Sequence, residues 1–252
     1  MKRLLTFFFA LASLFASAVT RLEADSLVAR AQRAYAAGDH QAALAAFDSV
    51  ATTYNSAALQ LNIGNCWFKM GDVAHAVLHY ERGLRLAPGD EDLLANLDLA
   101  NEQVKDRVAE KPSFALGTTW ARLRGGHDPD QWARRSLWAC AFFFVLLTAA
   151  IVVRRKALHR IVLGSAGAAL IFLVLCIAFA IARHGEVLDD SQAIIMEPKV
   201  DVLGEPRPGS KVLFVLHKGT KLTVLQVAGG WYEVQLPNGN VGWMPPATIE
   251  RI

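Results

Sequence analysis

Hydrophobic residues follow three different patterns along this chain. They recur every three to four positions over residues 22–108, form two unbroken runs between 137 and 182, and alternate with polar residues over 191–252. The first pattern predicts amphipathic helices, the second predicts long helices with no polar face, and the third predicts strands. The sequence therefore predicts a multidomain chain, with an α-helical unit, a two-helix transmembrane hairpin and a small β-barrel.

The two unbroken runs have the length of membrane spans. Residues 137–153 are 17 residues without a charge, and residues 161–182 are 22. Because a helix rises about 1.5 Å per residue, about 20 apolar residues cross the hydrocarbon core of a bilayer. We expect two transmembrane helices joined by a basic loop, 154–160, so that the segments before and after them lie on the same side. Burial of both helices inside a soluble core is the alternative.

Side chains around these runs are of the kinds that anchor helices at a membrane surface. Trp132 and Trp138 stand near the start of the first run, and indole rings prefer the headgroup level. The loop contributes a cationic cluster of Arg154, Arg155 and Lys156. A linker rich in glycine and proline, 109–136, precedes the first run. Within the second run, small residues at 164, 165 and 167–169 are expected to let the helices pack closely.

The first 18 residues have the three parts of a secretory signal: a positive start, an apolar stretch and a small-residue cleavage site, Ala16-Ser17-Ala18. An uncleaved anchor is the alternative. Either version exports the following segment. We therefore expect both soluble parts on the outer side of the membrane and the basic loop in the cytoplasm.

Residues 22–105 repeat with a period of 33, since Gly38-Asp39 recurs as Gly71-Asp72. Each unit is predicted to be a pair of helices joined at the Gly-Asp turn, with small residues where helices approach and aromatic residues between repeats. Pro88 ends the second unit, and a capping helix is expected over 91–108. The residues predicted to pack the repeats are Ala31, Tyr35, Ala43, Phe47, Gly64, Trp67, Phe68, Ala76, Tyr80 and Pro88.

This pattern resembles the tetratricopeptide repeat, which implies a surface that docks peptides or helices. A small helical spacer is the alternative. His75 and His79 have the i,i+4 spacing that could hold a metal from one helix face. No third ligand accompanies them, and we expect a solvated face instead. Cys66 is expected to be packed rather than reactive.

The last segment, 191–252, is predicted to form five or so short strands in a bent barrel. Gly219-Thr220 and Asn238-Gly239 are predicted hairpins, the second of type I′. The sequence around Gly230-Trp231-Tyr232 and Gly242-Trp243 resembles the bacterial SH3-type domain. Trp231, Tyr232 and Trp243 are candidate ligand-binding residues; burial of the two tryptophans in the barrel core is the favoured alternative.

Composition narrows the function further. Hydrophobic residues make up 53% of the chain, and the net charge of +3 is too small to indicate nucleic-acid binding. The three cysteines have no metal-type spacing, and no disulfide is expected between segments so placed. No catalytic motif, metal site or cofactor site emerges, which predicts a protein that is not an enzyme.

The order of signal, repeats, two spans and SH3-type barrel resembles the BatE family of the Bacteroides aerotolerance operons. That resemblance implies a bacterial inner-membrane protein, with both soluble domains in the periplasm. It also implies partners among membrane proteins with von Willebrand A domains and a MoxR-type ATPase. We expect a membrane scaffold for protein–protein interaction. The alternatives are a membrane protein that binds peptidoglycan through the barrel and a signalling transducer; the short cytoplasmic loop disfavours the transducer.

Overall fold

The fold is taken from a computed structural model, which describes residues 21–106, 108, 130–245 and 248–252. The predicted signal sequence, residues 1–18, and the linker from 109 to 129 lie outside the described residues. The helices are α1 (residues 21–36 of the described part), α2 (His40–Ala51), α3 (Ala57–Lys69), α4 (Val73–Leu86), α5 (Glu91–Asn101), α6 (Gln131–Val152) and α7 (Lys156–Leu188).

The repeated Gly-Asp pair ends one helix and begins the next. Gly38 and Gly71 have φ angles of 83° and 82°, a left-handed conformation that favours glycine. The carboxylates of Asp39 and Asp72 accept hydrogen bonds from the backbone N–H groups of Ala42 and His75, which caps α2 and α4. Each pair therefore turns the chain between two helices, α1 to α2 and α3 to α4.

Close contact between α3 and α4 depends on one glycine facing one tyrosine. A Cβ added to Gly64 would lie 2.5 Å from the Tyr80 ring, which is fully buried. The Tyr80 hydroxyl donates to the Asn65 side-chain oxygen at 2.8 Å, so this ring leaves no unpaired polar atom inside. Four other predicted packing residues are completely or almost completely buried: Ala31, Ala43, Phe47 and Ala76.

The remaining predicted packing residues are half-buried: Tyr35, Trp67, Phe68 and Pro88. Pro88 follows the end of α4 at Leu86. The capping helix is shorter than predicted, since α5 ends at Asn101 rather than continuing to 108. The chain leaves the helix there and carries Val104 and Asp106 to the β domain, defined as residues 192–252. Residues 21–106 are called the helical domain below.

α6 and α7 are the two helices long and apolar enough to cross a membrane by length and composition, at 22 and 33 residues. Only 11% of the most apolar part of each is buried, so neither is a soluble core helix in this fold. Both helices extend beyond the apolar runs. The predicted basic loop is therefore reduced to 153–155, because Lys156 already begins α7 while Arg154 and Arg155 remain between the helices.

The two long helices pack through alanines and a cysteine rather than through the predicted glycines. Arg183 of α7 is buried against α4, and the other buried residues of this pair are Ala139, Ala150, Ala166, Ala169 and Cys176. Of the small residues predicted to lie in the helix contact, Ala169 is therefore buried. A Cβ on Gly164 or Gly167 would meet nothing within 4 Å. Trp132 packs edge-on against Phe179, with their ring centroids 4.7 Å apart, whereas Trp138 is 79% exposed.

Seven antiparallel strands form one sheet in the β domain, two more than predicted, in the order β3-β2-β6-β5-β4-β1-β7. Their core is a buried apolar cluster that includes Ala193, Ile195, Val202, Leu222, Val234 and Met244. The strands are β1 (Gln192–Ile195), β2 (Lys199–Leu203), β3 (Val212–His217), β4 (Lys221–Ala228), β5 (Trp231–Gln235), β6 (Val241–Met244) and β7 (Ile249–Arg251).

Both predicted hairpins need correction. Gly219-Thr220 joins β3 to β4, but β3 pairs with β2 and β4 pairs with β1 and β5, so this turn is a corner between strands that do not pair with each other. At Asn238-Gly239, the N–H of Gly239 donates to the Leu236 carbonyl across Pro237 and Asn238. Only Gly239 has a positive φ, which excludes type I′ and indicates a three-residue loop with a bulge.

The two-residue hairpin lies elsewhere, at Gly229-Gly230. Ala228 pairs directly with Trp231 across the turn. Both glycines have positive φ, 57° and 78°, as a type I′ turn requires. The turn joins β4 and β5 in a hairpin, and the end of this hairpin projects beyond the core, since residues 225–230 are all exposed.

Candidate functional site

The alternation of β5 places the candidate aromatic residues on opposite faces of the sheet. Val234 is fully buried, and it shares the inner face with Tyr232, which packs against the core cluster. Trp231 and Glu233 therefore face outward, and Trp243 lies opposite Glu233 on β6. Both tryptophans are half-buried on the outer face rather than in the core. The core placement favoured from the sequence is therefore wrong.

A groove of about 450 Å³ lies beside Trp231 on this outer face. Its walls come from β2, from the loop before β3 and from the segment after β6; they include Lys199, Asp201, Ser210, Pro245 and Thr248. The Lys199 ammonium lies 3.8 Å from the Asp201 carboxylate, and both side chains are largely exposed. An indole wall beside a proline and charges of both signs can hold an extended peptide or a sugar ring.

Only one of the three candidate residues reaches this groove. Trp243 stands on the same face but does not line it, and it is flanked by Leu203 on β2 and by Glu233 on β5. Tyr232 faces the other way, where the Arg251 guanidinium lies 5.6 Å from its ring centroid. The site supported by the structure is therefore the groove at Trp231, and Tyr232 is a packing residue.

A second feature was missed in the sequence: the helical domain and the β domain pack against each other. Ile194 and Ile252 of the β domain belong to the same buried cluster as Val77, Leu78 and Val104 of the helical domain. β1 is buried on both faces, with Ala193 and Ile195 in the barrel core and Ile194 against the helices. The continuous apolar run at 193–196 was the available signal, because a strand with one wet face alternates.

Ion pairs and hydrogen bonds surround this apolar contact. Lys218 donates to the Asp72 carboxylate at 3.0 Å, and Lys221 donates to the Glu81 carboxylate at 2.7 Å. Burial alone would raise the pKa of Asp72. The hydrogen bonds from Lys218 and His75 outweigh that effect, so its pKa is lowered and the carboxylate stays ionised.

Asp106 holds the corner between β3 and β4. Its carboxylate accepts from the backbone N–H of His217, from the Nδ1 of the same residue at 2.9 Å, and from the Thr220 hydroxyl at 2.9 Å. Burial opposes ionisation, but these hydrogen bonds prevail and lower the pKa of Asp106. Gly219 lies under the same contact: its φ is +92°, and an added Cβ would be 3.0 Å from Val104.

Three arginines connect the helical domain, α7 and the last strand. Arg183, near the end of α7, is only 3% exposed and donates to the carbonyls of Arg85 and Leu86 at the end of α4. Arg85 donates to the carbonyls of Val187 and Ile252, and Arg82 donates to the Glu250 carboxylate at 3.1 Å. Guanidinium groups thus satisfy the last carbonyls of α4 and join it to its neighbours.

A cleft of about 610 Å³ opens between α5 and the corner before β4, beside Asp106. Its lining includes four acidic side chains, Glu81, Asp98, Glu102 and Asp106, and one basic side chain, Lys221, which is bonded to Glu81. Glu81 and Asp106 are engaged in the domain contact itself. The cleft is therefore a consequence of how the two domains meet.

The predicted solvated face at His75 and His79 is wrong, because both rings are half-buried between α3 and α4. The His75 ring stacks on Trp67 with 4.5 Å between centroids. His79 Nδ1 lies 2.8 Å from the Gln60 side-chain oxygen. Burial, with smaller contributions from Arg82 and His75, lowers the pKa of His79 to about 3, so this imidazole is neutral.

Cys66 is fully buried, and burial, with the nearby Asp48 carboxylate, raises the pKa of its thiol to about 11. The thiol is therefore packed and un-ionised at neutral pH. Within the ranges that the structure describes, no three His, Cys, Asp or Glu side chains come together as a metal site.

Comparison with known proteins identifies one part of the chain. No curated protein matches the chain. Residues 199–250, which run from the start of β2 into β7, match the family described as the bacterial SH3 domain. The sequence prediction of an SH3-type domain is confirmed over those residues, and all the residues that line the groove at Trp231 lie within them.

Proposed function

We propose that this protein is a non-enzymatic adaptor of a bacterial inner membrane, held in the bilayer by α6 and α7. Its helical domain and SH3-type domain stand together on the periplasmic side, and the groove at Trp231 binds an extended segment of a partner protein. Bacterial SH3-type domains are associated with protein–protein and cell-wall binding, and both fit this location.

One observation supports the proposal above all others: the apolar helices are tied directly to the binding domains. Arg183 ends the apolar part of α7 and is buried against the end of α4, while β1 begins four residues after α7 ends. A groove so attached is held at a fixed height above the helices. Holding two binding surfaces together raises the effective concentration of one partner for another.

The nature of the partners rests on the BatE resemblance and on the repeat pattern. The Gly-Asp turns and the Gly64–Tyr80 contact support a tetratricopeptide interpretation of the helical domain. By resemblance, the partners are membrane proteins with von Willebrand A domains that work beside a MoxR-type ATPase. A photoreactive crosslinker at Lys199, on the groove rim, should capture such proteins in native membranes; the same crosslinker at Asn238, outside the groove, should not.

Peptidoglycan is the second candidate ligand, favoured by the indole that forms one wall of the groove. Full-length protein in detergent micelles should then sediment with purified peptidoglycan, and Trp231→Ala should abolish sedimentation while Trp243→Ala retains it. If the wild-type protein stays in the supernatant while the crosslinker at Lys199 still captures protein partners, wall binding is excluded and the adaptor proposal stands.

A further inference from the structure

The hairpin formed by β4 and β5 ends in an apolar tip that the domain core does not use. Residues 222–232 carry no charged side chain. At the tip, defined here as residues 225–230, Leu225 is 48% exposed and Val227 is 57% exposed. Most other large apolar side chains so exposed in the described part of the chain belong to α6 and α7. An exposed apolar tip of this kind is a contact surface.

The strand register aims this tip back toward the end of α7. β1 leaves α7 and runs away from it, and β4 is antiparallel to β1, with Thr223 opposite Gln192. The N–H of Val224 donates to the Ser191 carbonyl at 2.7 Å. From there β4 continues past the connection toward α7. Arg251 confirms the proximity, since its guanidinium bonds Asp190 and also lies over the Tyr232 ring.

The lengths of the end of α7, of the connection to β1 and of β4 place the tip near the level of the lipid headgroups. Arg183 marks where the apolar part of α7 ends, and Leu188 is five residues beyond it, about 7.5 Å along the helix. The connection from 189 to 191 adds about 10 Å at most, and the strand from Val224 to Ala228 returns about 13 Å. With the connection and β4 taken to run along the α7 axis, the tip lies within about 5 Å of the Arg183 level.

We propose that the 225–230 tip rests on the surface of the bilayer that contains α6 and α7, so that the SH3-type domain touches the membrane at a second point. Leu225 and Val227 then bury their exposed surface among headgroups and upper acyl chains. Trp231 follows the tip at the level that indole rings prefer. The inference depends on the proposed insertion of α6 and α7, and it fixes the orientation of the groove beside Trp231 relative to the membrane.

Fluorescence quenching in vesicles tests this contact on the full chain. The three native cysteines are replaced by alanine, and an environment-sensitive label is attached to Val227→Cys. The protein is reconstituted in phosphatidylcholine vesicles whose lipid is spin-labelled either at a shallow or at a deep position of the acyl chain. Two matched sites serve as controls. Val174→Cys lies on the exposed side of α7, and Asn238→Cys lies in the turn at the opposite end of β5.

We expect the label at 227 to lose roughly half of its emission to the shallow quencher, the label at 174 to respond to a deep quencher, and the label at 238 to respond to neither. Leu225→Glu should reduce quenching at 227, whereas Val241→Glu, at the other end of the sheet, should not. If 227 behaves like 238 while 174 is quenched, the tip does not touch the bilayer and the inference is overturned, although insertion stands. If 174 is not quenched either, the membrane placement itself fails.

Discussion

Gly64 is the position where the helical domain tolerates least change. A methyl group there would overlap the buried Tyr80 ring at 2.5 Å, and that ring is also held through its hydroxyl by Asn65. Overpacking of a filled core costs about 1–3 kcal/mol. The free energy of unfolding of Gly64→Ala, measured with denaturant, should fall by that amount. Gly185→Ala is the control: it is a helical glycine whose Cβ meets nothing within 4 Å, so its stability should not fall and should rise by up to about 1 kcal/mol through helix propensity.

His79 makes the stability of the helical domain depend on pH. Burial lowers its pKa from 6.5 to about 3. In mild acid His79 therefore binds a proton in the unfolded chain but not in the folded chain. The free energy of unfolding should therefore decrease as pH falls below about 6.5, by about 1 kcal/mol per pH unit. Asp72 and Asp106 act in a lower window, since their lowered pKa values make them lose stabilisation only below the ordinary 3.8.

Replacing His79 by glutamine should remove most of the slope between pH 6.5 and about pH 4 in denaturant titrations. The same replacement at His184, which is exposed on α7, should leave the slope in place. An unchanged slope in His79→Gln would show that another group governs this pH range.

Most local elements could be predicted from local residues, and the errors that bear on the site arose where distant segments meet. The Gly-Asp pairs contain both the helix end and the next cap, so the sequence was sufficient to predict these turns. Gly219 carries the same glycine signal, but its positive φ serves a corner against Val104, which lies more than a hundred positions earlier. Nothing near Gly219 in the sequence could distinguish that corner from a hairpin.

The candidate site shows the same limit. The alternation of side chains along a strand puts Trp231 and Val234 on opposite faces of β5, but alternation alone does not say which face is the core. That was decided by the partner strands, which put Val202 and Met244 against Val234. The groove itself needs Lys199, Ser210 and Pro245 from three other segments, which only the folded sheet brings to the indole.

The corner before β4 should detach from the helical domain when Asp106 is removed. Asp106→Ala deletes the acceptor of three hydrogen bonds, from the backbone and ring of His217 and from Thr220. Buried donors left without a partner cost about 1–3 kcal/mol each. Amide hydrogen exchange at 217–221 should therefore accelerate at least tenfold, since about 1.4 kcal/mol corresponds to a factor of ten.

Asp98→Ala is the matched control for this change, because Asp98 is exposed on the same side of the cleft and takes no part in the corner. Its exchange rates at 217–221 should equal those of the unmodified protein. Equal protection in Asp106→Ala would mean that the apolar contact of Ile194 and Ile252 alone fixes the corner.

At the scale of the whole molecule, the helical domain, the β domain and the α6–α7 pair share one junction. Arg183 and Arg85 join the end of α7 to α4 and to the last strand, and the apolar cluster around Ile194 fills the space between them. The domains are thus one body on one end of a helical pair, rather than modules on flexible tethers. Such an arrangement suits a protein that fixes its partners at a set distance from a membrane.

The central claim is that α6 and α7 cross a bilayer and leave both domains on one side. Single cysteines at exposed Arg30, Ala157 and Asn238, in sealed membrane vesicles treated with an impermeant maleimide, test it most directly. The account predicts that positions 30 and 238 react from the same side and that 157 reacts only from the other. Reaction of 30 and 238 from opposite sides, or equal reaction of all three from one side, would contradict it.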